Sequence, residues 1–201
     1  MQTYIIKPLD ILETESIKEI TERFKEKNKI YIITGAEKVG KTALVIKILC
    51  CLMKEHSNTF KPVFISLDNT VEYWQNLIQQ NKDLFWYPCK YEFPTSMLSV
   101  YMFVKVSFHQ KYNFIVIDGI DRCKHVLGKK VFKIVFSNAT NLGKNHLPNV
   151  FITVRTNQLP LDNSHLIQAQ KEGIIELWHL ERPEYLGGEI KEFGDTRLTI
   201  E

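Results

Sequence analysis

Short apolar runs alternate with helix-forming segments along most of this chain. Four runs are too short to fill a helix and are rich in β-branched residues, which indicates buried strands. These runs cover 30–34, 62–67, 113–118 and 148–154, and a fifth run, in which apolar and polar positions alternate, covers 174–180. The run 113–118 is apolar on both faces, so we expect it in the middle of a parallel sheet.

Apolar positions at helical spacing predict helices between these strands. The predicted helices cover 16–27, 43–53, 96–110 and 130–142, and 71–81 has helical composition. Ser16 and Glu19 have the spacing of a capping box, and Asn28 is the expected end of the first helix. The other segments are expected to be an extended lead-in at 1–13, an irregular aromatic insertion at 82–94 and a polar loop at 156–165.

Strands that alternate with helices predict an α/β fold, with a mostly parallel central sheet flanked by helices. We expect a single domain. Within it, residues 1–28 form a lead-in and an amphipathic helix packed on the core, and residues 29–201 form the main body. A short final strand at 197–200, after Gly187 and Gly188, predicts a C-terminal β-hairpin.

The most specific motif follows the first buried strand. Residues 35–42 read Gly-Ala-Glu-Lys-Val-Gly-Lys-Thr and satisfy G-x-x-x-x-G-K-[ST] between a strand and an apolar helix. In such a loop the glycines let successive N–H groups converge on phosphates at the positive end of the helix. Lys41 is predicted to contact the β/γ oxygens of ATP, and Thr42 to offer its hydroxyl to Mg²⁺. The residues predicted to bind the nucleotide are Gly35, Ala36, Glu37, Lys38, Val39, Gly40, Lys41, Thr42 and Ala43.

Two later strands end in charged residues. Asp118 closes the run 113–118, and Arg155 directly follows 148–154. Because ligands bind outside the carboxyl ends of the strands in open α/β sheets, we predict that Asp118 holds Mg²⁺ together with Thr42. The alternative role for Asp118 is to cap the segment that follows it.

The charge, the cysteine spacing and the N-terminal sequence exclude some classes of protein, but they do not identify a binding partner. The 26 basic and 23 acidic residues give a net charge of +3, too small an excess to identify a nucleic-acid partner, although local patches are compatible with one. Cys50, Cys51, Cys89 and Cys123 lack C-x-x-C spacing, so we expect neither zinc nor disulfides. The N-terminus lacks the features of a signal peptide, and Lys47 breaks the longest apolar run. We therefore expect a cytoplasmic protein without membrane contact.

Residues 28–201 resemble the ATPase domain of DnaB-type replicative helicases, a branch of the RecA-like P-loop NTPases. In addition to the phosphate loop, three segments are similar to motifs of that family: 65–68, Ile-Ser-Leu-Asp; 117–119, Ile-Asp-Gly; and 182–185, Arg-Pro-Glu-Tyr. The resemblance implies a RecA-like fold, ATP and Mg²⁺ as cofactors, and ATP hydrolysis associated with DNA replication or unwinding. Asp68 stands where the family has its catalytic Glu, and Arg155 where it has a Gln that senses the γ-phosphate. The catalytic residues so implied are Lys41, Asp68 and Arg155.

The chain also departs from that family. Its Asp68 is one methylene shorter than Glu, it ends at Glu201 before any finger arginine, and it has no counterpart of the N-terminal domain and linker helix used in hexamer assembly. We therefore do not expect processive unwinding by this polypeptide alone. The implied partners are single-stranded DNA or a replication protein. A homo-oligomer is compatible with the resemblance, because RecA-like sites commonly lie between subunits.

Two further interpretations stay open at this point. Residues 117–122, Ile-Asp-Gly-Ile-Asp-Arg, also resemble the acidic strand end of switch ATPases of the AAA or STAND type. In such proteins Asp121, rather than Asp68, would be the second carboxylate, and Arg155 would be an arginine sensor. The shortened Asp68 and the missing finger arginine favour instead a degenerate nucleotide-binding adaptor that hydrolyses little ATP.

Overall fold

The computed structural model describes residues 3–6, 14–23, 29–55, 61–67, 72, 90–92, 94–109, 112–124, 126–143, 146–159 and 163–181. Its strands are β1 (Thr3–Ile6), β2 (Ile30–Gly35), β3 (Pro62–Ser66), β4 (Lys90–Glu92), β5 (Phe114–Asp118), β6 (Asn149–Arg155) and β7 (Ile175–Leu180). Its α-helices are α1 (Thr14–Arg23), α2 (Lys41–Glu55), α3 (Met97–His109), α4 (Gly128–Leu142) and α5 (Ser164–Lys171). Short 3₁₀ turns cover Ile120–Arg122 and Thr156–Gln158.

The described strands form one sheet in the order β1-β7-β2-β6-β5-β3-β4, and all neighbouring strands are parallel. Strand β5 lies between β6 and β3, as its apolar faces predict. The predicted α/β fold, a parallel sheet flanked by helices, is confirmed. Among the described helices, none is both long and apolar enough to cross a membrane.

The core has two layers, one on each face of the sheet, because successive side chains of a strand point to opposite faces. On one face Tyr31, Ile33 and Trp178 pack with α2 and with Ile20 of α1. On the other face the intervening strand residues pack with α3, α4 and α5. Every residue of β2 is buried, which explains why Ile30 to Ile33 are successive apolar positions instead of alternating with polar ones.

Three edge or connecting elements differ from the sequence-based expectation. The lead-in contains strand β1, which pairs with β7, and the predicted irregular insertion ends in β4, which pairs with β3. Helix α1 begins at Thr14, so Ser16 lies inside the helix and is not its N-cap. Strands of three or four residues contain too few positions to show a periodic pattern, so pairing at the sheet edges, not local sequence, defines them.

Helix α5 begins at the end of the segment 156–165, which is predicted to be a polar loop, and continues to Lys171, where no element is predicted. Its N-cap is Asn163, whose side chain accepts hydrogen bonds from the backbone N–H groups of His165 and Leu166 at 3.0 and 3.2 Å. Only Leu166 and Ala169 of this helix are buried. An eight-residue helix with two buried positions has little of the apolar periodicity from which helices are recognised, although Asn163 was an available capping signal.

Several predictions concern residues outside the described ranges. These include Asn28 as the end of the first helix, the helical segment 71–81 apart from Glu72, most of the aromatic insertion, Asp68, Cys89, the Arg-Pro-Glu-Tyr segment 182–185 and the C-terminal hairpin. They remain predictions. The described part of the chain ends one residue after β7, at Glu181.

The end of β2 lies tightly against the end of β7. A Cβ atom placed on Gly35 would lie 2.7 Å from the backbone oxygen of Leu180 and 2.8 Å from Cγ1 of Val39. The backbone oxygen belongs to a paired strand and cannot rotate away. Glycine is therefore required at the point where β2 turns into the loop 36–40.

Replacing Gly35 by alanine is expected to destabilise the protein by about 1–3 kcal/mol, the usual cost of overpacking, because β7 and the loop must move apart. Urea denaturation measures this loss. Gly173→Ala is the control: there the added methyl meets nothing within 4 Å, and only the positive φ contributes, about 1 kcal/mol. An equal or larger loss for Gly173→Ala would contradict the close packing at Gly35.

Candidate functional site

The loop predicted to bind phosphate connects β2 to α2 at the carboxyl edge of the sheet. Gly35 is the last residue of β2 and Lys41 the first of α2. Strand β2 lies between β7 and β6, so the loop lies near the middle of that edge. Lys38 has a positive φ of 59°, rare for a residue with a side chain. Such left-handed positions recur in loops whose successive N–H groups converge on an anion.

Lys41 is held above the loop by the backbone of the loop itself. Its ammonium donates hydrogen bonds to the carbonyl oxygens of Ala36 and Gly35, at 2.6 and 3.2 Å. Burial lowers the pKa of Lys41 from its ordinary value of 10.5, and the carboxylates of Asp121 and Asp118 act against that shift. A partly desolvated cation beside backbone N–H groups is well suited to bind the oxygens of a polyphosphate.

Asp118, the last residue of β5, connects the phosphate loop to β6 through hydrogen bonds. Its Oδ1 accepts hydrogen bonds from the hydroxyl of Thr42 at 2.8 Å and from the hydroxyl of Thr153 at 2.7 Å. The Thr153 hydroxyl in turn accepts the backbone N–H of Gly119 at 2.8 Å. Asp118 and Thr153 are 1% and 2% exposed. A buried carboxylate beside a hydroxyl at a phosphate loop is a fitting pair of oxygen ligands for Mg²⁺.

A cluster of four charged side chains stands beside the loop, formed by Glu37, Asp121, Arg122 and Arg155. Arg155 donates two hydrogen bonds to Asp121, from its backbone N–H to Oδ1 at 3.2 Å and from Nε to Oδ2 at 2.5 Å. Glu37 lies 3.1 Å from Nη2 of Arg122 and 3.8 Å from Nη1 of Arg155. Arg155 thus lies beside the loop, with Asp121 as its main partner.

The structure therefore brings together most of the residues predicted to form the site. The stretch from Gly35 to Ala43 contacts Asp118 through Thr42 and approaches Arg155 through Glu37. Asp68 lies outside the described residues. The side chains of Val39 and Ala43 are buried in the core. These two residues can therefore offer only backbone groups to a ligand.

Sequence reasoning missed Thr153 and the pairing of Asp121. Thr153 is a polar residue inside the apolar strand β6, on the same face of the sheet as Arg155 because the two are separated by one residue. That isolated polar position was the available signal. The partner of Asp121 could not be found in this way, because nothing in the local sequence says which strand end lies beside the 3₁₀ turn.

A second buried contact supports the loop from the other side. Thr34, the residue before Gly35, donates its hydroxyl to the carbonyl oxygen of Trp178 at 3.2 Å, and its Oγ1 lies 3.0 Å from Nδ1 of His179. Thr34 is buried and lies directly opposite His179 in the β2–β7 register. The start of the loop is thus tied to β7 by side chains as well as by the ladder.

Replacing Thr153 by valine is expected to lower the free energy of unfolding by about 1–3 kcal/mol, the cost of leaving buried polar groups without their partner. Valine has nearly the same shape but no hydroxyl for Asp118 and Gly119. Thr153→Ser is the matched control, since it keeps the hydroxyl and removes only a methyl. Urea denaturation compares the two. A serine variant less stable than the valine variant would show that the methyl, not the hydroxyl, matters.

No protein-family model matches the chain. No curated protein matches it either. Among solved structures, it is similar to the flagellar accessory protein FlaH from Methanocaldococcus jannaschii, with a TM-score of 0.51 and 14% sequence identity over 77% of this chain and 73% of that one. At this identity the likeness shows the fold alone. The predicted RecA-like fold is confirmed, and the narrower DnaB-type assignment stays a prediction.

Proposed function

We propose that the chain binds ATP together with Mg²⁺ at the loop 35–42. The observation that supports this most strongly is the 2.8 Å contact between the Thr42 hydroxyl and the Asp118 carboxylate, made across the loop. The two residues lie 76 positions apart in the sequence. Their contact supports the proposal because a phosphate-loop hydroxyl and a strand-end carboxylate that share one metal ion must lie this close together.

Each residue of the site has a distinct role in this proposal. The backbone N–H groups of the loop hold the α- and β-phosphates, and Lys41 exchanges its carbonyl partners for β/γ oxygens. Thr42 and Asp118 hold Mg²⁺, and Thr153 keeps Asp118 oriented. The ion, when bound, neutralises charge on the β- and γ-phosphates.

Hydrolysis is the narrower part of the proposal. Arg155 would stabilise charge on the γ-phosphate, and Asp68 would orient or deprotonate the attacking water. Both oxygens of Asp121 accept hydrogen bonds from Arg155, and this engagement favours Asp68 over Asp121 as the second acidic residue. The same observation weighs against the AAA or STAND interpretation, in which Asp121 would face the nucleotide.

Association with DNA replication or unwinding is the narrowest part. The resemblance to DnaB-type helicases suggests it, and the distribution of charge agrees. Residues 122–161 contain seven basic and no acidic residues, and two of the basic ones, Arg122 and Arg155, pair with acidic side chains of the site. Four of the lysines, at positions 124, 129, 130 and 133, are exposed. A surface of this kind attracts phosphate backbones without regard to sequence. Whether the partner is DNA is decided by the hydrolysis experiment below.

ATP with Mg²⁺ is expected to protect the folded protein against heat, and Lys41→Ala to abolish that protection. At a concentration 100 times the dissociation constant, a ligand of the native state adds about 2.7 kcal/mol of stability. Thermal unfolding with and without Mg·ATP measures the effect. Lys105→Ala, which removes an exposed lysine on α3, is the control and should keep full protection. Protection that survives in Lys41→Ala would overturn the proposed site.

Hydrolysis of ATP is expected to depend on Lys41 and to rise with single-stranded DNA, which would supply the polyanion that the basic surface binds. Release of phosphate is measured for the wild type, Lys41→Ala, Asp68→Ala and Asp121→Ala. A rate lost in Asp68→Ala but retained in part in Asp121→Ala supports the RecA-like assignment. Binding without Lys41-dependent turnover would instead identify a nucleotide-binding adaptor. A rate unaffected by DNA would remove the DNA part of the proposal.

A further inference from the structure

We propose that Glu37, the third residue of the phosphate loop, determines nucleotide specificity by competing with the terminal phosphate of a triphosphate for Arg122 and Arg155. The inference rests on the proposed function, since it concerns the same site. It assigns to a loop residue a negative effect on ATP affinity. A diphosphate, which lacks the terminal phosphate, would escape that effect.

The evidence is a set of ion pairs that joins three separate elements. Glu37 belongs to the loop after β2, Arg122 to the 3₁₀ turn after β5, and Arg155 to the end of β6. One carboxylate oxygen of Glu37 lies 3.1 Å from Arg122 and the other 3.8 Å from Arg155. Glu37 is thus placed between two guanidinium groups, the side chains best suited to bind phosphate.

The two arginines stand on the side of the site where a terminal phosphate would lie. Arg155 follows Thr153 by two residues on one face of β6, and Thr153 contacts the proposed metal ligand Asp118. Glu37, which contacts both arginines, directly follows Ala36, whose carbonyl oxygen accepts a hydrogen bond from the Lys41 ammonium at 2.6 Å. Loop N–H groups hold the inner phosphates, and Lys41 and Mg²⁺ reach the outer ones. Arginines held at this part of the loop are therefore near the position of the outermost phosphate.

Burial distinguishes the permanent partner of Arg155 from the exchangeable one. The side chain of Asp121 is 4% exposed and accepts two hydrogen bonds from Arg155. The side chain of Glu37 is 43% exposed, and its contact with Arg155 is the longer one. Exposed ion pairs contribute little to stability, so a phosphate can replace Glu37 at small cost while Asp121 keeps Arg155 in place.

This arrangement predicts that the charge of Glu37 weakens the binding of a triphosphate but not that of a diphosphate. A triphosphate must displace Glu37 from both arginines to gain their contacts, and the displaced carboxylate then lies near a like charge. A diphosphate leaves the Glu37 pairs intact. Removing the charge of Glu37 should therefore tighten the binding of a triphosphate and leave that of a diphosphate nearly unchanged.

The test compares Glu37→Gln with the wild type by calorimetric titration of ADP and of a non-hydrolysable ATP analogue, both with Mg²⁺. The analogue is expected to bind about three- to tenfold more tightly to Glu37→Gln, from the loss of two exposed pairs, and ADP within about twofold. Glu19→Gln, an equal change of charge on the exposed side of α1, should alter neither. Equal tightening for ADP and the analogue would overturn the inference.

The same change made in the Arg122→Gln variant distinguishes competition for the arginines from electrostatic repulsion between Glu37 and the phosphate. If Glu37 acts by holding Arg122, then Glu37→Gln should lose most of its effect when Arg122 is already glutamine. A gain that persists undiminished in Arg122→Gln would show repulsion through space and refute the competition. If the wild type shows no Lys41-dependent binding of either nucleotide, the proposed function fails and the inference with it. If it shows such binding and Glu37→Gln leaves the ratio of the two affinities unchanged, only the inference fails.

Discussion

The buried carboxylate of Asp118 is the interaction on which the candidate site depends. One of its oxygens accepts hydrogen bonds from the hydroxyl groups of Thr42 and Thr153, which belong to α2 and β6. A buried charge is costly unless it is hydrogen-bonded, so the three elements must keep their relative positions for the fold to tolerate Asp118. The same requirement holds the loop at a constant distance from the strand ends. Stability and the geometry of the site thus depend on one group.

The charges around the loop are arranged in two layers. Near the sheet, Lys41 and Asp118 are partly or fully buried and bonded to groups that cannot move far, such as loop carbonyls and strand hydroxyls. Farther out, Glu37 and Arg122 are well exposed and meet only through side chains. Inner contacts of this kind are rigid, while outer ones exchange readily with solvent or ligand. Arg155 joins the two layers, because it bonds to buried Asp121 and also approaches exposed Glu37.

Much of the fold follows from local sequence because both faces of the central strands are covered. A strand such as β5, apolar throughout and ending in Asp118, can be recognised alone, and so can the strand, loop and helix that contain the phosphate motif. Elements at the margins are different. Strand β4 has three residues and helix α5 two buried positions, so long-range contacts define them. For the same reason the pairing of Asp121 with Arg155, 34 residues apart, could not be predicted, although the sequence marks each of the two as a candidate site residue.

The pairing of β1 with β7 has a consequence for how the protein is made. Thr3 lies opposite Leu177 in a parallel ladder, so a strand near the start of the chain is completed by one near the end of the described part. During synthesis β1 must wait for its neighbour until nearly all of the intervening chain has emerged from the ribosome. Contacts of such wide sequence separation slow folding. The ladder between β1 and β7 is therefore expected to form later than the ladder between β5 and β6, in which Phe114 lies opposite Asn149 and the strands are much nearer in sequence.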